Sequence, residues 1–254
     1  DFVKSLVGKN IQLPEVVTPG ATVGIVTTQI VNNFDFSPEC IVCGGTTDSI
    51  AAFIASGANT PGEAVTSLGS TLVLKLLSHT RVDNSKYGIY SHRFGDLWLV
   101  GGASNTGGAV LRHFFTDTEL ESFSRQIDPY AESGLDYYPL LQKGDRFPIN
   151  NSELSPRLVP RPENPVLFLH GLLEGIAKIE LRGYKLLQAL SAATLTRVYT
   201  AGGGAKNSTF TTIRGRCLGV PTMGAVYTDA AYGSAILATR QFICDETNLQ
   251  GFAN

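Results

Sequence analysis

The chain has 254 residues, of which 43% are hydrophobic and 17% charged, and its formal net charge at pH 7 is −2. This composition is typical of a globular protein and excludes a disordered chain. Lysines and arginines are scattered singly, which argues against a nucleic-acid partner. No apolar run approaches the roughly 18 residues that cross a membrane. Four dispersed cysteines favour a reducing compartment, so we expect an intracellular protein, in the cytosol or in a plastid.

The first half of the chain alternates short strands with glycine-rich turns. Residues 21–27 and 39–43 have the apolar runs of strands, and the second run leads into Gly44-Gly45-Thr46-Thr47. Apolar residues then recur at helical spacing, which predicts a helix over Asp48–Ser56 that stops at Gly57.

Two glycine-rich interruptions follow. A strand is predicted over 67–77, interrupted by Gly69-Ser70-Thr71, and a hairpin-like region surrounds residues 83–90. Another strand, at 96–100, runs into the glycine-rich stretch 101–108 and then into a helix that ends at residue 115.

The second half has the clearest helix, over residues 165–190, after a long aperiodic connection at 132–166 that we expect on the surface. Further elements are predicted in this order: a strand at 197–201, the run Gly202-Gly203-Gly204, a helix over 205–218, a strand at 220–223 and a helix over 229–243. Strands that alternate with helices, partly through hairpins, predict an α/β domain with a mixed sheet.

Cys40 and Cys43 have the CxxC spacing of a redox pair or of half a zinc site. They lie in an apolar stretch, and no second CxxC or HxxxH pair completes four ligands. We therefore interpret them as core side chains, and no residue is predicted to bind a metal directly.

Three strands end in glycine-rich corners, at 69–71, 101–108 and 202–204. Glycine allows backbone N–H groups to converge on one point, and a helix that begins just after the corner adds its own N–H groups. A single corner is more often a tight turn or a helix cap, but three together favour a nucleotide site.

The kind of nucleotide chemistry is less well defined by these residues. The pattern GxxxxGK[ST] is absent, which excludes a P-loop protein. Gly202-Gly203-Gly204-Ala205 follows a strand and could belong to a dinucleotide fingerprint, but the next strand lacks the acidic residue that would bind a ribose. An NAD-dependent oxidoreductase is therefore the weaker hypothesis.

Asp48 has two readings that periodicity does not separate. An aspartate in the first turn of a helix stabilises the helix by about 0.5–2 kcal/mol. Beside the loop Gly44–Thr47, its carboxylate could instead accept a hydroxyl proton during phosphoryl transfer.

The order of the motifs resembles the FGGY carbohydrate kinase family. Residues 13–20 (LPEVVTPG) with Gly44–Asp48 resemble the end of its first domain, and Ser67–Thr71 is similar to its phosphate-facing loop. Residues 199–207 (YTAGGGAKN) resemble its adenosine motif. Three further segments fit in the expected order, LEGIA at 173–177, LGVP at 218–221 and AAYGSA at 230–235. Residues 44–53 and 168–175 are most similar to the plant and cyanobacterial xylulose kinase-like branch.

The resemblance implies an actin-like, ribonuclease-H-like pair of lobes, with the ATP-binding lobe built on a mixed sheet flanked by helices. Residues 1–57 would be the C-terminal tail of the sugar-binding domain, and residues 58–254 the ATP-binding domain. It implies an ATP-dependent kinase for a ketopentose, D-ribulose or D-xylulose, with Mg²⁺ bridging the phosphates through water and an N-terminal aspartate.

The resemblance also assigns roles to individual residues. Asp48 would be the catalytic base, with Gly45, Thr46 and Thr47 beside it at the sugar. The nucleotide contacts that it implies are Gly69, Ser70 and Thr71 at the phosphates, Gly203, Gly204, Ala205 and Asn207 at the adenosine, and Gly102, Ser104 and Asn105 on the opposite wall.

This sequence departs from the family pattern at its start. The family's opening DxGT loop and its sugar-contacting segments have no counterpart here. We therefore expect a longer native polypeptide, or a partner chain such as another copy that supplies the first lobe. The alternative is a truncated, catalytically silent nucleotide-binding or regulatory module. On either hypothesis the 254-residue chain alone is expected to lack kinase activity.

Overall fold

The computed structural model describes residues 5–6 and 11–244, with side chains as far as Thr239. In chain order its helices and strands are β1 (Thr22–Ile25), α1 (Thr28–Phe34), β2 (Ile41–Cys43), α2 (Asp48–Ala55), β3 (Glu63–Leu68), β4 (Leu72–Ser78), β5 (Tyr90–Phe94), β6 (Leu97–Ser104), α3 (Gly108–Phe114), α4 (Asp117–Ser124), α5 (Pro165–Ala189), β7 (Arg197–Ala201), α6 (Ser208–Leu218), β8 (Thr222–Gly224) and α7 (Ala230–Cys244). They form two compact units, one from the described parts of 1–55 and 229–254, the other Ser56–Thr228.

The first unit combines an antiparallel pair of strands, β1 and β2, with the helices α1, α2 and α7. Helix α2 buries Ile50, Ala51 and Phe53. Helix α7 crosses it so closely that a Cβ on Gly233 would lie 1.8 Å from the carbonyl oxygen of Ala51. The helices predicted over 48–56 and 229–243 are thus present, but α7 packs with the first unit, whereas the predicted division placed it with the residues after 57.

The second unit is built on a six-stranded mixed sheet with the order β5-β6-β4-β3-β7-β8. The pairs from β5 to β3 are antiparallel, and β7 pairs parallel with both β3 and β8. The α/β class and the mixed sheet predicted from the sequence are confirmed. Within the described residues no helix is long and apolar enough to cross a membrane.

Two strand predictions were wrong in detail. Residues 67–77 do not form one interrupted strand, because Gly69-Ser70-Thr71 is the turn between the antiparallel strands β3 and β4. The predicted strand at 96–100 continues to Ser104, through Gly101 and Gly102. A Cβ on Gly101 would lie 1.8 Å from the carbonyl oxygen of Leu74, so these glycines allow close packing inside the sheet rather than a loop.

Helix α5 forms the centre of the second unit. Asn164 begins it by accepting hydrogen bonds from the backbone of Val166 and Leu167, and Pro165 occupies the first turn, where its missing N–H is not needed. The connection before it, at 132–166, is irregular as predicted but is not confined to the surface. Tyr137, Leu140 and Phe147 are each at most 2% exposed and belong to the core.

Candidate functional site

A cleft of ≈ 870 Å³ lies in the second unit, at the ends of the parallel strands β3 and β7. Its floor is formed by the two glycine corners that follow these strands, and its sides by α3, α4 and the start of α6. The lining residues that bear on its chemistry are Leu68, Gly69, Ser70, Leu111, Arg112, Asp117, Leu120, Glu121, Arg125, Ile176, Gly203, Gly204, Lys206, Asn207 and Phe210.

The two corners of the floor are in direct contact. A Cβ on Gly202 would lie 2.8 Å from the carbonyl oxygen of Leu68, and a Cβ on Gly204 would lie 2.6 Å from the Cβ of Leu68. Gly202 also has φ +83°, a backbone conformation that side chains rarely adopt. These two glycines are therefore required for the corners to meet. Gly203 differs, because its Cβ would point into space with no atom within 4 Å.

Backbone donors converge on this floor. Among the described residues, the N–H groups of Ser70, Gly203 and Gly204 make no hydrogen bond. Lys206 lies beside them and, within the described part of the chain, has no ion-pair partner. Three unpaired N–H groups and a cation at a glycine corner are the components of a phosphate site.

The sides of the cleft are apolar near the floor and charged at the rim. The half-buried Leu111 and Leu120, with the largely buried Ile176 and Phe210, make this part of the lining apolar, as in sites for planar organic ligands. At the rim Arg112 pairs with Asp117 at 2.9 Å, and Arg125 pairs with Glu121. Because both arginines are neutralised, Lys206 supplies the unpaired positive charge.

At the corner 101–108 the first N–H groups of α3 are bonded within the protein. The N–H of Gly108 donates to the carbonyl of Gly69 at 2.9 Å, and the N–H of Ala109 donates to that of Ser70 at 3.1 Å. A Cβ on Gly107 would lie 2.7 Å from the carbonyl carbon of Thr71. The start of α3 thus supports the turn between β3 and β4, and these two donors are not available to a ligand. Gly107 also lines the cleft, and among the described residues its N–H makes no hydrogen bond.

Three predicted nucleotide contacts, Gly102, Ser104 and Asn105, are not brought to the cleft. Gly102 packs under the ring of Phe147, which a Cβ would approach to 2.6 Å. The Ser104 hydroxyl and the Asn105 N–H donate to the buried carboxylate of Asp145 at 2.9 and 2.8 Å. Tyr138 donates to the same carboxylate at 2.5 Å, and burial together with this acceptor raises the pKa of its hydroxyl.

The remaining predicted nucleotide contacts have varied positions. Thr71 is half-buried and is not among the lining residues, and Ala205 lines a neighbouring cavity of ≈ 480 Å³. Asn207 lines the cleft, but its side chain is already engaged. Its Oδ1 accepts from the N–H of Phe210 at 2.9 Å, and its Nδ2 donates to the Ser124 hydroxyl at 2.8 Å.

Asp48 and its loop belong to the first unit. Asp48 is exposed at the start of α2, where its Oδ1 accepts from the N–H of Ser49 at 2.6 Å. Gly45 and Thr47 are exposed and Thr46 is half-buried. Gly44, in contrast, is buried, with only 2.8 Å between a Cβ and the carbonyl oxygen of Thr18.

The described residues contain neither a cluster of metal ligands nor a disulfide. No group of three or more His, Cys, Asp or Glu in that part of the chain could hold a metal ion. Cys40 and Cys43 lie three residues apart in extended chain, a separation of about 10 Å, which is too long for a disulfide.

An ion pair below the cleft was not predicted from the sequence. Glu180 and Arg214 are fully buried, and Arg214 Nε lies 2.6 Å from Glu180 Oε2. One feature of the sequence could have revealed it, namely that Glu180 is on the apolar face of a helix that also buries Ile176, Ile179 and Leu187.

The profile of the FGGY family of carbohydrate kinases, C-terminal domain, matches residues 64–242. The chain belongs to this family. A curated relative, gluconokinase from Bacillus subtilis (strain 168), is 23% identical in an alignment 198 residues long that covers 70% of this chain and 38% of the relative.

Solved structures confirm the predicted sugar-kinase, actin-like fold. Xylulose kinase from Lactobacillus acidophilus has a TM-score of 0.79 at 16% identity, covering 97% of this chain and 52% of its own. Gluconate kinase from the same organism has a TM-score of 0.79 at 17% identity, and the match covers 97% of this chain and 52% of that kinase. Plasmodium falciparum glycerol kinase with ADP has a TM-score of 0.72 at 18% identity, and the match covers 89% of this chain and 47% of that kinase. The chain spans about half the length of these proteins, and at such identities the likeness shows the fold alone.

Proposed function

We propose that the chain is the ATP-binding portion of a sugar kinase, together with the end of its sugar-binding domain. The observation that carries this proposal is the cleft floor, where the unpaired N–H groups of Ser70, Gly203 and Gly204 lie beside Lys206. Membership of a carbohydrate kinase family supports the same reading.

In this proposal the floor binds the phosphates of ATP and the apolar sides bind its adenosine. The N–H groups of Ser70 and Gly203 donate to phosphate oxygens, and Lys206 offsets their charge. Gly203 provides room for the backbone to approach the ligand. The ring of Phe210 and the side chain of Leu120 pack against the base, from which they exclude water.

A divalent metal fits this arrangement only as an ion held by the phosphates. The described residues contain no acidic cluster that could bind Mg²⁺ by itself. Mg²⁺ commonly keeps most of its water ligands and binds substrate phosphates with one or two carboxylates. When bound, it would neutralise charge that develops on the transferred phosphoryl group.

Asp48 is proposed as the general base. It is exposed at the start of α2, beside a loop whose Gly45 has no atom within 4 Å of a Cβ, so the carboxylate is accessible to a small substrate. An accessible carboxylate can accept the proton of a sugar hydroxyl as the hydroxyl oxygen bonds to the γ-phosphorus of ATP. The bond from that phosphorus to the β,γ-bridging oxygen breaks, and ADP leaves with the electron pair. Gly45, Thr46 and Thr47 would line the same sugar site.

For the sugar we propose a ketopentose, D-ribulose or D-xylulose. The likeness of residues 44–53 and 168–175 to the xylulose kinase-like branch supports this. The gluconokinase relative makes a sugar acid the competing substrate class.

We also propose that residues 1–57 belong to a larger first lobe. The pair β1–β2 is a two-stranded sheet, which is marginally stable without further strands. Several apolar side chains in this region are largely exposed, among them Val16 at 94%, Ile25 at 66% and Phe34 at 65%. Additional chain, from the same polypeptide or from a partner copy, would cover them.

The decisive experiment is Asp48→Asn in a complete, active protein. Asn caps a helix about as well as Asp, so a purely structural Asp48 tolerates the change. We expect kcat to fall roughly 10²–10⁴-fold, as is usual when a positioned base is lost, with little change in ATP affinity. Asp35→Asn, at another exposed carboxylate of the first unit, is the matched control and should keep full activity. An Asp48→Asn enzyme with wild-type kcat would contradict the assignment.

A further inference from the structure

The fully buried pair Glu180–Arg214 lies on the two helices that flank the cleft. Glu180 is in α5 and Arg214 in α6, and both side chains are 0% exposed. The contact is bidentate, with Arg214 Nε at 2.6 Å from one carboxylate oxygen and Nη2 at 2.7 Å from the other. Burial opposes the charged guanidinium, but the carboxylate of Glu180 outweighs it and raises the pKa of Arg214.

The pair is tied to both strands that lead to the cleft floor. Arg214 Nη1 donates to the Thr200 hydroxyl on β7 at 2.6 Å, and the Thr66 hydroxyl on β3 donates to Glu180 at 2.6 Å. Tyr184 extends this chain of hydrogen bonds through its hydroxyl, 2.7 Å from that of Thr66. Thr66 and Thr200 are register partners across the β3–β7 ladder, and a glycine corner follows each within three residues.

The pair also contacts the wall of the cleft. The guanidinium carbon of Arg214 lies 5.8 Å from the ring centroid of Phe210, one turn earlier on α6. Glu180 lies one turn after Ile176 on α5, and both Phe210 and Ile176 line the cleft. One group of side chains therefore connects the wall of the cleft to the strands that carry its floor.

Stability alone does not account for such a pair. Two charges removed from water lose their hydration, and apolar residues of similar volume often replace buried ion pairs without loss of stability. The planar guanidinium does fix geometry in a way that apolar residues cannot. Its N–H groups point in set directions in one plane, so it holds the two oxygens of Glu180 and the hydroxyl of Thr200 at defined positions.

We propose that Glu180 and Arg214 are positioning residues of the nucleotide site, holding Phe210 and the starts of both glycine corners at the separation that an adenine nucleotide requires. They act through these groups and do not touch the ligand. The inference rests on the proposed ATP-binding function.

A second ion pair between the same helices provides a matched control. Glu174 on α5 and Arg216 on α6 are joined at 2.7 Å, and Glu174 also accepts from the Ser133 hydroxyl at 2.5 Å. Glu174 and Arg216 are not among the residues that line the cleft, and within the described part of the chain no hydrogen bond or ion pair joins either of them to β3 or β7. Loss of this pair tests the general effect of weaker packing between α5 and α6.

The experiment compares two double variants of the 254-residue chain, Glu180→Leu/Arg214→Met and Glu174→Leu/Arg216→Met. ADP and adenosine affinities are measured by calorimetry at a temperature where circular dichroism shows each protein fully folded. We expect the first variant to bind ADP roughly tenfold more weakly, with a smaller loss for adenosine because it reaches only the wall. The control variant should bind both ligands as the wild type does.

Equal ADP affinity in the first variant and the wild type would overturn the inference, and so would equal losses in the two double variants. A wild-type chain that fails to bind ADP would contradict the proposed function itself, which distinguishes the two failures.

If the first double variant does not fold, Thr200→Val and Thr200→Ser decide the question. Val removes the acceptor of Arg214 at nearly constant volume, whereas Ser keeps it. Weaker ADP binding by Val, restored by Ser, supports positioning through β7. Wild-type affinity in both variants overturns it.

Discussion

The corners at 101–108 and 202–204 have the same form in sequence, a strand followed by glycines and then a helix, yet the structure uses them differently. At 202–204 the N–H groups of Gly203 and Gly204 make no hydrogen bond among the described residues, and both glycines line the cleft. At 101–108 the N–H groups of Gly108 and Ala109 are bonded to the turn between β3 and β4. The first corner has two unpaired donors at the proposed phosphate site. The second supports the turn that carries Ser70, and of its residues Gly107 has an unpaired N–H and lines the cleft.

This difference shows that a glycine can serve a ligand site in two ways. Gly203 would leave space for the proposed nucleotide itself, since no atom lies within 4 Å of its Cβ position. Gly107 and Gly204 allow two backbone segments to touch, and a Cβ on either would approach the neighbouring segment to less than 3 Å. The two roles differ in what a Cβ at the glycine would meet, either open space or a neighbouring segment, and the number of glycines in the corner does not distinguish them.

The largest effect is expected for Gly107→Ala. A Cβ there would lie 2.7 Å from the carbonyl carbon of Thr71, and the backbone has φ +145°, which side chains rarely adopt. Overpacking against backbone together with this strain should lower the free energy of unfolding by about 3 kcal/mol. Urea unfolding measures it. A variant as stable as the wild type would contradict the claim that this corner supports the turn between β3 and β4.

The variants Gly203→Ala and Gly204→Ala should separate an effect on ADP affinity from an effect on stability. At Gly203 the methyl meets no protein atom, so stability should stay within about 1 kcal/mol of the wild type, while ADP affinity falls roughly tenfold. At Gly204 the methyl would meet Leu68 at 2.6 Å, and overpacking should cost about 1–3 kcal/mol of stability. Calorimetry with ADP and urea unfolding give both quantities. Unchanged ADP binding by Gly203→Ala would mean that the corner is only a turn.

The smallest effect is expected at Asn207, which caps α6 and bonds Ser124. Asn207→Ala should lose about 1 kcal/mol of stability through the missing cap. Asn207→Asp keeps the cap and loses only the donor to Ser124, so it should lie between Ala and the wild type. Thermal unfolding measures the three proteins. A large loss of ADP affinity in the otherwise stable Asp variant would restore Asn207 as a direct ligand contact.

Much of the fold could be predicted because local patterns and tertiary structure agree. Helix α5 combines an apolar stripe with an Asn-Pro start, and Asp48 begins α2 beside Gly44–Thr47 as expected. The turn at 69–71 was predicted as a break in one strand, since the alternation of apolar residues continues on both sides of it. Only the pairing of β3 with β4, a tertiary fact, shows that the chain reverses there.

The site was predicted less completely, for a physical reason. Ser70, Gly203, Gly204 and Asn207 line the cleft. Gly102, Ser104 and Asn105 do not, because Phe147 and Asp145 occupy the space around them, and both come from an irregular connection without periodicity. Contacts between a strand and a distant loop leave no pattern in either segment.

The close crossing of α2 and α7 has a consequence for the order in which the protein is completed during synthesis. The apolar face of α2 leaves the ribosome early, but Gly233 and the helix around it follow only after the whole of Ser56–Thr228 has been made. The second unit has every strand of its sheet by then and can fold while the nascent chain grows. The first unit cannot close over Ala51 until α7 emerges, so it is finished after the second unit although α2 precedes that unit in the chain.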